Sequence, residues 1–348
     1  MASNEENRKK FAKSAIDFIN KYYFDGIDID WEYPESGDKE NFAKLLKASF
    51  FVDLKAVSNK KLVTIATASD SVKINAGYDV SEIAKSVDFV NVMTYDFHGS
   101  WEQKTGQNSP LFAPSGDSTK FNTADAMKYW AENGMPSEKL IVGIATYGRG
   151  WILNDPNDTK CGAPGSAAPG RQYTNAAGMA AYYEICKMDG IRKWDDTQKV
   201  PYILKDNLWY GYDDIQSING KMNWLKENGF GGAFIWALDM DDFKGICSDG
   251  KKYPLLNAIK NGLEGKEITT IPSKPENTGE TKPPKIKTTT PKSDITISDN
   301  NKNDFACPSS NGLFRDPKNC SKFYQCSNGT PFSMNCPTGL NWNDNIKY

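Results

Sequence analysis

Two rhythms of apolar and polar positions run through the first 262 residues. "FDGIDIDWE", "KLVTIATA", "DFVNVMTYD", "KLIVGIATYG" and "GGAFIWALD" are β-branched or aromatic runs of strand length. Most are separated by amphipathic stretches such as "NFAKLLKASF" and "TADAMKYWAENG". Repeated strand–helix units predict an α/β fold with a parallel sheet covered by helices on both faces. Ahead of the first strand, "SNEENRKKFAKSAIDFINKYY" carries Phe11, Ala15, Phe18, Ile19 and Tyr22 at helical spacing, and Ser3 with Glu6 has the pattern of a capping box. From about Trp151 to Tyr212 the rhythm breaks. "CGAPGSAAPGRQYTNAAG" is rich in turn formers, and "KVPYILKDNLWYGYDD" predicts a hairpin turning at Asp206 and Asn207, so an α+β insertion is expected over 151–212.

Residues 263–305 lose all apolar periodicity and fill with Thr, Pro, Lys and Ser, the composition of an extended linker suited to O-glycosylation. Beyond it, Cys307, Cys320, Cys326 and Cys336 crowd a segment too short for a core of its own. That density predicts a disulfide framework, hence an oxidising compartment and a secreted protein. A zinc site is the weaker reading, because the spacing has no CxxC pair and no nearby His. Asn157, Asn319 and Asn328 open acceptor sequons consistent with secretion.

Composition narrows the function. The chain has 348 residues, 39% hydrophobic, enough for one large domain and a small appendage. Its net charge of −2 and the lack of a basic stripe interleaved with aromatics exclude a nucleic-acid groove. No apolar run reaches the ~18 residues that a membrane span needs, and "MASNEENRKK" has no apolar signal region. With a single histidine, His98, outside any metal or triad context, chemistry by carboxylates is the best-supplied option.

"YFDGIDIDWEYP" places Asp28, Asp30 and Glu32 on one face of a strand and Ile27, Ile29 and Trp31 on the other. Next-but-one carboxylates stand roughly 6–7 Å apart, close enough for each charge to raise its neighbour's pKa where water is scarce. Glu32 falls at the C-terminal strand end, where sites in parallel barrels collect. A cation site fits poorly, since Ca²⁺ takes ligands from flexible loops, and a solvated face fits poorly within a βαβ series. A structural hydrogen-bond network stays open beside catalysis.

"DGIDIDWEYP" resembles the DxxDxDxE signature of family-18 glycoside hydrolases, the chitinases. "MTYDFHGSW", "TGQNSPLF", "GIATYGRGW", "AYYEICKMDG" and "GGAFIWALDMDDF" resemble that family's later motifs in its order, so the likeness covers residues 1 to about 262. It implies a (β/α)8 TIM barrel of which this chain lacks the first three strands, and thus a fragment with two exposed sheet edges and doubtful activity by itself. The resemblance makes Glu32 the acid that protonates the glycosidic oxygen. Asp30 would orient the substrate's acetamido group, Asp28 would share a proton with Asp30, and Tyr95 would hydrogen-bond the acetamido carbonyl. Retention through an oxazolinium intermediate is implied, with no cofactor and no metal. Trp236 resembles the aromatic floor under the sugar; Tyr33, Met93, Thr94, Asp96, Trp101, Tyr147, Arg149 and Glu184 resemble further cleft contacts. Met93 and Trp236 equally suit barrel core, and Arg149 equally suits an ion pair with Glu184.

Cys186 and Cys247 resemble a family disulfide, which leaves Cys161 without a partner. Two departures from the family pattern are Ile144-Ala145 in place of Met-Pro and Gln107 where His is common. The tail resembles a peritrophin-A chitin-binding module, whose pairing implies Cys307–Cys326 and leaves Cys320 and Cys336 waiting for cysteines past Tyr348. Its Phe323, Tyr324 and Trp342 suit either stacking on chitin or a small core. The expected function is that of a secreted, monomeric, endo-acting chitinase with chitin or chitooligosaccharides as partner. The alternative is a chitin-binding lectin-like protein without turnover; such proteins typically lose the acid that this chain keeps at Glu32.

Overall fold

The structure is a computed structural model; it describes residues 1–47, 61–116, 119–266, 305–308, 312–319, 321–327 and 330–335. The chain divides into two compact units, Met1–Glu276 and Asn277–Tyr348. Most of the expected linker, together with Cys320, Cys336 and Trp342, lies outside the described residues.

In the first unit, α1 (Glu5–Tyr22) leads into β1 (Gly26–Asp30), followed by α2 (Lys39–Leu45), β2 (Leu62–Thr67), α3 (Ser71–Gly77), α4 (Val80–Ala84) and β3 (Phe89–Val92). Next come α5 (Thr123–Glu132), β4 (Leu140–Ala145), β5 (Tyr147–Leu153), β6 (Gly165–Ala167), β7 (Met179–Ala181) and α6 (Tyr182–Ile185). The unit closes with β8 (Ile191–Asp195), β9 (Val200–Lys205), β10 (Leu208–Gly211), α7 (Ile215–Glu227), β11 (Gly232–Trp236) and α8 (Pro254–Leu263).

The five apolar runs form one all-parallel sheet in the order β1-β2-β3-β4-β11. This α/β sheet with its helices is of the TIM-barrel type. Leu140, Val142 and Ile144 of β4 are wholly buried, as a central parallel strand requires. β1 and β11 are the edges of the described sheet, so Asp28 and Asp30 stay exposed on a strand whose Ile29 is buried. The alternation in β1 sorts as its period demands. Trp31 packs edge-on against Phe42 of α2, Phe42 against Tyr78, and Tyr78 against Trp130 of α5, with ring centres 5.6, 5.8 and 5.2 Å apart. Such pairs each contribute about 0.5–1.5 kcal/mol beyond area burial.

Two local expectations are corrected. The N-cap of α1 is Asn4, whose Oδ1 accepts from the Asn7 amide at 3.0 Å, so Ser3 and Glu6 do not form a capping box. Asn and Ser cap equally well, and the adjacent pair left the register ambiguous by one residue. The inserted sheet, ordered β6-β5-β10-β9-β8 with β7 also on β5, begins at Tyr147 rather than Trp151, because Tyr147–Arg149 already pairs with Met179–Ala181. The hairpin β9–β10 turns at Asp206 and Asn207, and Asp206 adopts the left-handed φ of 55° that such a turn demands.

A buried ion pair ties α7 to the loop after β3. Lys221 Nζ donates to Asp213 Oδ2 at 2.7 Å, and to the Ser109 carbonyl and hydroxyl at 2.6 and 2.8 Å, with both charged side chains almost wholly out of water. Every proton of the ammonium therefore has an acceptor.

In the second unit, β12 (Gly312–Arg315), β13 (Lys322–Ser327) and β14 (Thr330–Asn335) form an antiparallel sheet. A disulfide joins Cys307 to Cys326 of β13. Tyr324 stacks on Phe305 with ring centres 3.9 Å apart, so one of its faces is occupied within the module. Phe323 is half-buried. Among the described residues no helix is long and apolar enough to cross a membrane.

Removing one member of a buried pair leaves an uncompensated charge, at a cost of about 3–5 kcal/mol. Lys221→Met is therefore expected to lower the unfolding free energy of the large unit by that amount in equilibrium urea denaturation. A loss below about 1 kcal/mol would contradict the role given to the pair.

Candidate active site

Parallel pairing brings the C-terminal ends of β1, β3, β4 and β11 to one side of the sheet, and the candidate residues are concentrated there. Asp28 is joined to two neighbouring strands: its Oδ1 accepts from Thr64 Oγ1 of β2 and, at 3.0 Å, from Asn91 Nδ2 of β3. Asp30 comes one pleat further on. Burial, then the charges of Glu32 and Asp28, hold its carboxyl above the ordinary value of 3.8. The Tyr33 hydroxyl is pushed up by burial and by the neighbouring Glu32, while Lys73 Nζ stands 4.3 Å from the centre of its ring. Tyr95 is likewise pushed up, by burial first and then by Asp96, Asp30 and Glu32, so it stays a neutral hydrogen-bond donor across the pH range of a working enzyme.

The loop after β3 is fixed from behind. Thr94 is fully buried, its hydroxyl donating to the Gly143 carbonyl at 2.8 Å and its carbonyl accepting from Ser109 Oγ at 2.6 Å. It therefore shapes the loop and does not face the cleft. Gly143 has to be glycine, because a Cβ there would meet the Val92 carbonyl oxygen at 2.7 Å and Tyr95 Cε1 at 2.9 Å. Asn108 accepts from the Asp96 amide at 3.0 Å and donates to the Tyr147 carbonyl at 2.9 Å.

Asp96, in a left-handed conformation with φ of 57°, gathers the polar side chains of β5. Its Oδ1 accepts from the Tyr147 hydroxyl and from Arg149 Nε, each at 2.8 Å. The guanidinium lies 5.3 Å from the Trp101 ring centre and 5.4 Å from that of Tyr147. Arg149 thus pairs with Asp96 and not with Glu184. The Glu184 carboxylate is buried and accepts from the Tyr173, Thr174 and Ala181 amides and the Thr174 hydroxyl. Backbone occupies it, so the structure does not offer it to a ligand. Asp241 and Asp242, both buried, cap backbone amides in the same way. His98 hydrogen-bonds Glu102 at 2.8 Å and packs edge-on against Phe121.

Met93, Tyr95 and Tyr147 pack together with Tyr33 and Phe234 around the strand ends. Above them opens a cavity of about 410 Å³ whose walls include Tyr33, Met93, Tyr95, Asp96 and Trp101. Trp101 is 59% exposed and Trp236, at the end of β11, 53% exposed, which is far from barrel core. Sequence reasoning missed Ser69, Asp70, Lys73, Phe97 and Phe121, which line the same cavity. It also missed Asn91, although a lone amide in the apolar run "FVNV" was a readable signal.

The profile of glycosyl hydrolases family 18 matches residues 1–241, and that of the chitin-binding peritrophin-A domain matches residues 307–348. The chain belongs to glycosyl hydrolase family 18. It is 40% identical to the endochitinase of Brugia malayi over 382 residues, covering 100% of this chain and 74% of that protein. The crystal structure of a Trichuris suis chitinase superposes with a TM-score of 0.73 at 43% identity, over 76% of this chain and 75% of that one. Human YKL-39, described as a pseudo-chitinase with retained chitooligosaccharide binding, superposes with a TM-score of 0.73 at 37% identity, over 76% of each chain. In this family-18 chain, Glu32 is the glutamate of "DIDWE", at the mouth of the sheet and beside both Asp30 and Tyr33.

The raised Asp30 carboxyl gives a pH signature. Its folded-state pKa exceeds the unfolded one, so folding takes up a proton between the two values and stability falls as pH rises through that window. Asp30→Asn removes this penalty. The melting temperature of Asp30→Asn relative to the parent is expected to be higher at pH 7 than at pH 3.5; an equal difference at both pH values would contradict the assignment.

Proposed function

We propose that this family-18 chain hydrolyses the β-1,4-N-acetylglucosamine linkages of chitin with retention of configuration, using Glu32 as general acid and base. The observation that carries the reading is the raised Asp30 carboxyl, which stands between Asp28 and Glu32 with the neutral Tyr95 donor nearby. Glu32 gives its proton to the glycosidic oxygen as the C1–O bond breaks. The carbonyl oxygen of the same sugar's acetamido group bonds C1, forming an oxazolinium ion, and the leaving chain departs as an alcohol. Asp30 accepts from the acetamido N–H and stabilises the growing positive charge, while Tyr95 donates to the acetamido carbonyl oxygen. Water then attacks C1 and gives a proton to Glu32 as the acetamido oxygen leaves, so two displacements leave the configuration unchanged.

Asp28, bonded to Thr64 and Asn91, sits behind Asp30 and shares a proton with it. Trp236 offers an indole face to the apolar CH face of a pyranose, with Met93, Tyr33, Trp101 and the Asp96–Tyr147–Arg149 group shaping the rest of the cleft. The peritrophin-A module binds the polymer. We assign the protein to the extracellular space, on the strength of its disulfides and of chitin as substrate, and read it as a monomer.

The similarity to YKL-39 supports a second reading, in which chitooligosaccharides bind without turnover. Release of a fluorophore from a chitotriose conjugate separates the two. General acid–base groups typically contribute 10²–10⁴-fold, so Glu32→Gln is expected to lower release by about that factor without changing the circular dichroism spectrum. Binding of the conjugate with no release by the parent chain would instead establish the non-hydrolytic reading.

A further inference from the structure

Three exposed or half-exposed aromatic rings, on segments tied to the strand end that bears Trp236, have no part in the reaction outlined above. Tyr173 is 66% exposed and meets Tyr183 edge-on at 5.9 Å; Tyr183 in turn meets Phe243 at 5.7 Å, and Phe243 is 36% exposed. They come from three separate segments: the loop before β7, the start of α6, and the loop after β11.

Each segment is locked. The buried Glu184 carboxylate accepts the Tyr173 amide at 2.8 Å and the Ala181 amide at 3.1 Å, fastening the loop to α6. The Cys186–Cys247 disulfide fastens the end of α6 to the loop that carries Phe243. Asp242 accepts from the amides of Ile246 and Cys247 at 3.0 and 2.7 Å, closing that loop on itself. Exposed aromatics on so constrained a frame contribute little to a core, and rings held in place before a ligand arrives lose little entropy when it binds.

The backbone ties α6 to the strand end of the candidate site. Thr146 accepts the Tyr182 amide at 2.9 Å through its carbonyl; its own amide donates to the Trp236 carbonyl at 3.0 Å and its hydroxyl to the Ala237 carbonyl at 2.6 Å. Asp239, three residues past Trp236, is near enough for its charge to act on the Tyr183 hydroxyl. One residue thus joins the strand end that bears Trp236 to the helix that bears Tyr183.

We propose that Tyr173, braced by Tyr183 and Phe243, is a distal platform on which the sugar chain continues beyond Trp236, stacking the CH face of an added N-acetylglucosamine unit on the open face of the tyrosine. The inference rests on the chitin-hydrolase reading and extends it to longer oligosaccharides. On this proposal a short ligand held at Glu32 and Trp236 ends before the ring, and a longer one reaches it.

Calorimetric titration of the Glu32→Gln protein, which blocks turnover, with chitotriose and chitohexaose tests the platform. Adding Tyr173→Ala is expected to raise the Kd for chitohexaose about tenfold, or ~1.4 kcal/mol, and to leave that for chitotriose within about twofold. Tyr173→Phe keeps the ring and is expected to bind both like its parent. Unchanged chitohexaose binding in Tyr173→Ala, or equal weakening of both ligands, would overturn the platform. A shift of the sedimentation coefficient by Tyr173→Ala without loss of chitohexaose affinity would assign the ring to self-association instead. Failure of the Tyr173-intact protein to bind either sugar would overturn the chitin reading itself.

Discussion

Parallel pairing of β1, β2, β3, β4 and β11 forces every C-terminal strand end to one side of the sheet, and each element of the candidate site follows from that constraint. The carboxylates of β1, Tyr95 after β3, Tyr147 and Arg149 after β4, and Trp236 at the end of β11 are far apart in the chain. They meet because their strands are in register. Period-two alternation then decides which side chains of β1 join them: Ile29 goes to the core, whereas Asp28 reaches across β2 to Asn91. A one-residue slip of this pairing would exchange the two sets.

Behind the cleft, polar groups bind backbone. Thr94, Asn108 and Ser109 fix the loop that presents Tyr95 and Asp96, and the buried Lys221–Asp213 pair fixes Ser109 from α7. Such groups are costly to bury and costlier to leave unpaired, so the network gives the loop a single well-defined arrangement. The groups that face the cleft differ from these. Asp30, Tyr33 and Tyr95 hold their protons more firmly than in water, because partial burial and neighbouring negative charges both disfavour their ionised forms. Mutual repulsion of Asp28, Asp30 and Glu32 at the strand end is part of what raises the Asp30 carboxyl.

The strands of the parallel sheet were legible because each is a compact β-branched run, and the acids of β1 because strict alternation is rare for carboxylates. The insertion's hairpin was legible from Asp206 and Asn207. Less could be read where neighbouring residues suit the same role. Asn4 and Ser3 both cap helices, and only packing chooses between them. Glu184 and Thr94 resembled ligand contacts by motif, yet local backbone donors and acceptors take up their polar atoms, a competition that no linear pattern displays. Lys73 and Phe121 come to the cavity from α3 and from the approach to α5, and nothing in their neighbourhoods distinguishes them from surface residues.

Retention at the anomeric carbon is the outcome that the proposed roles of these groups require, and the configuration of the first product reads it out. Proton NMR of chitohexaose during the first minutes of hydrolysis is expected to show the new reducing end as the β-anomer, with the α-anomer growing in only by mutarotation. An initial excess of α-anomer would mean a single displacement by water, and it would contradict the roles given to Glu32, Asp30 and the substrate's own acetamido group.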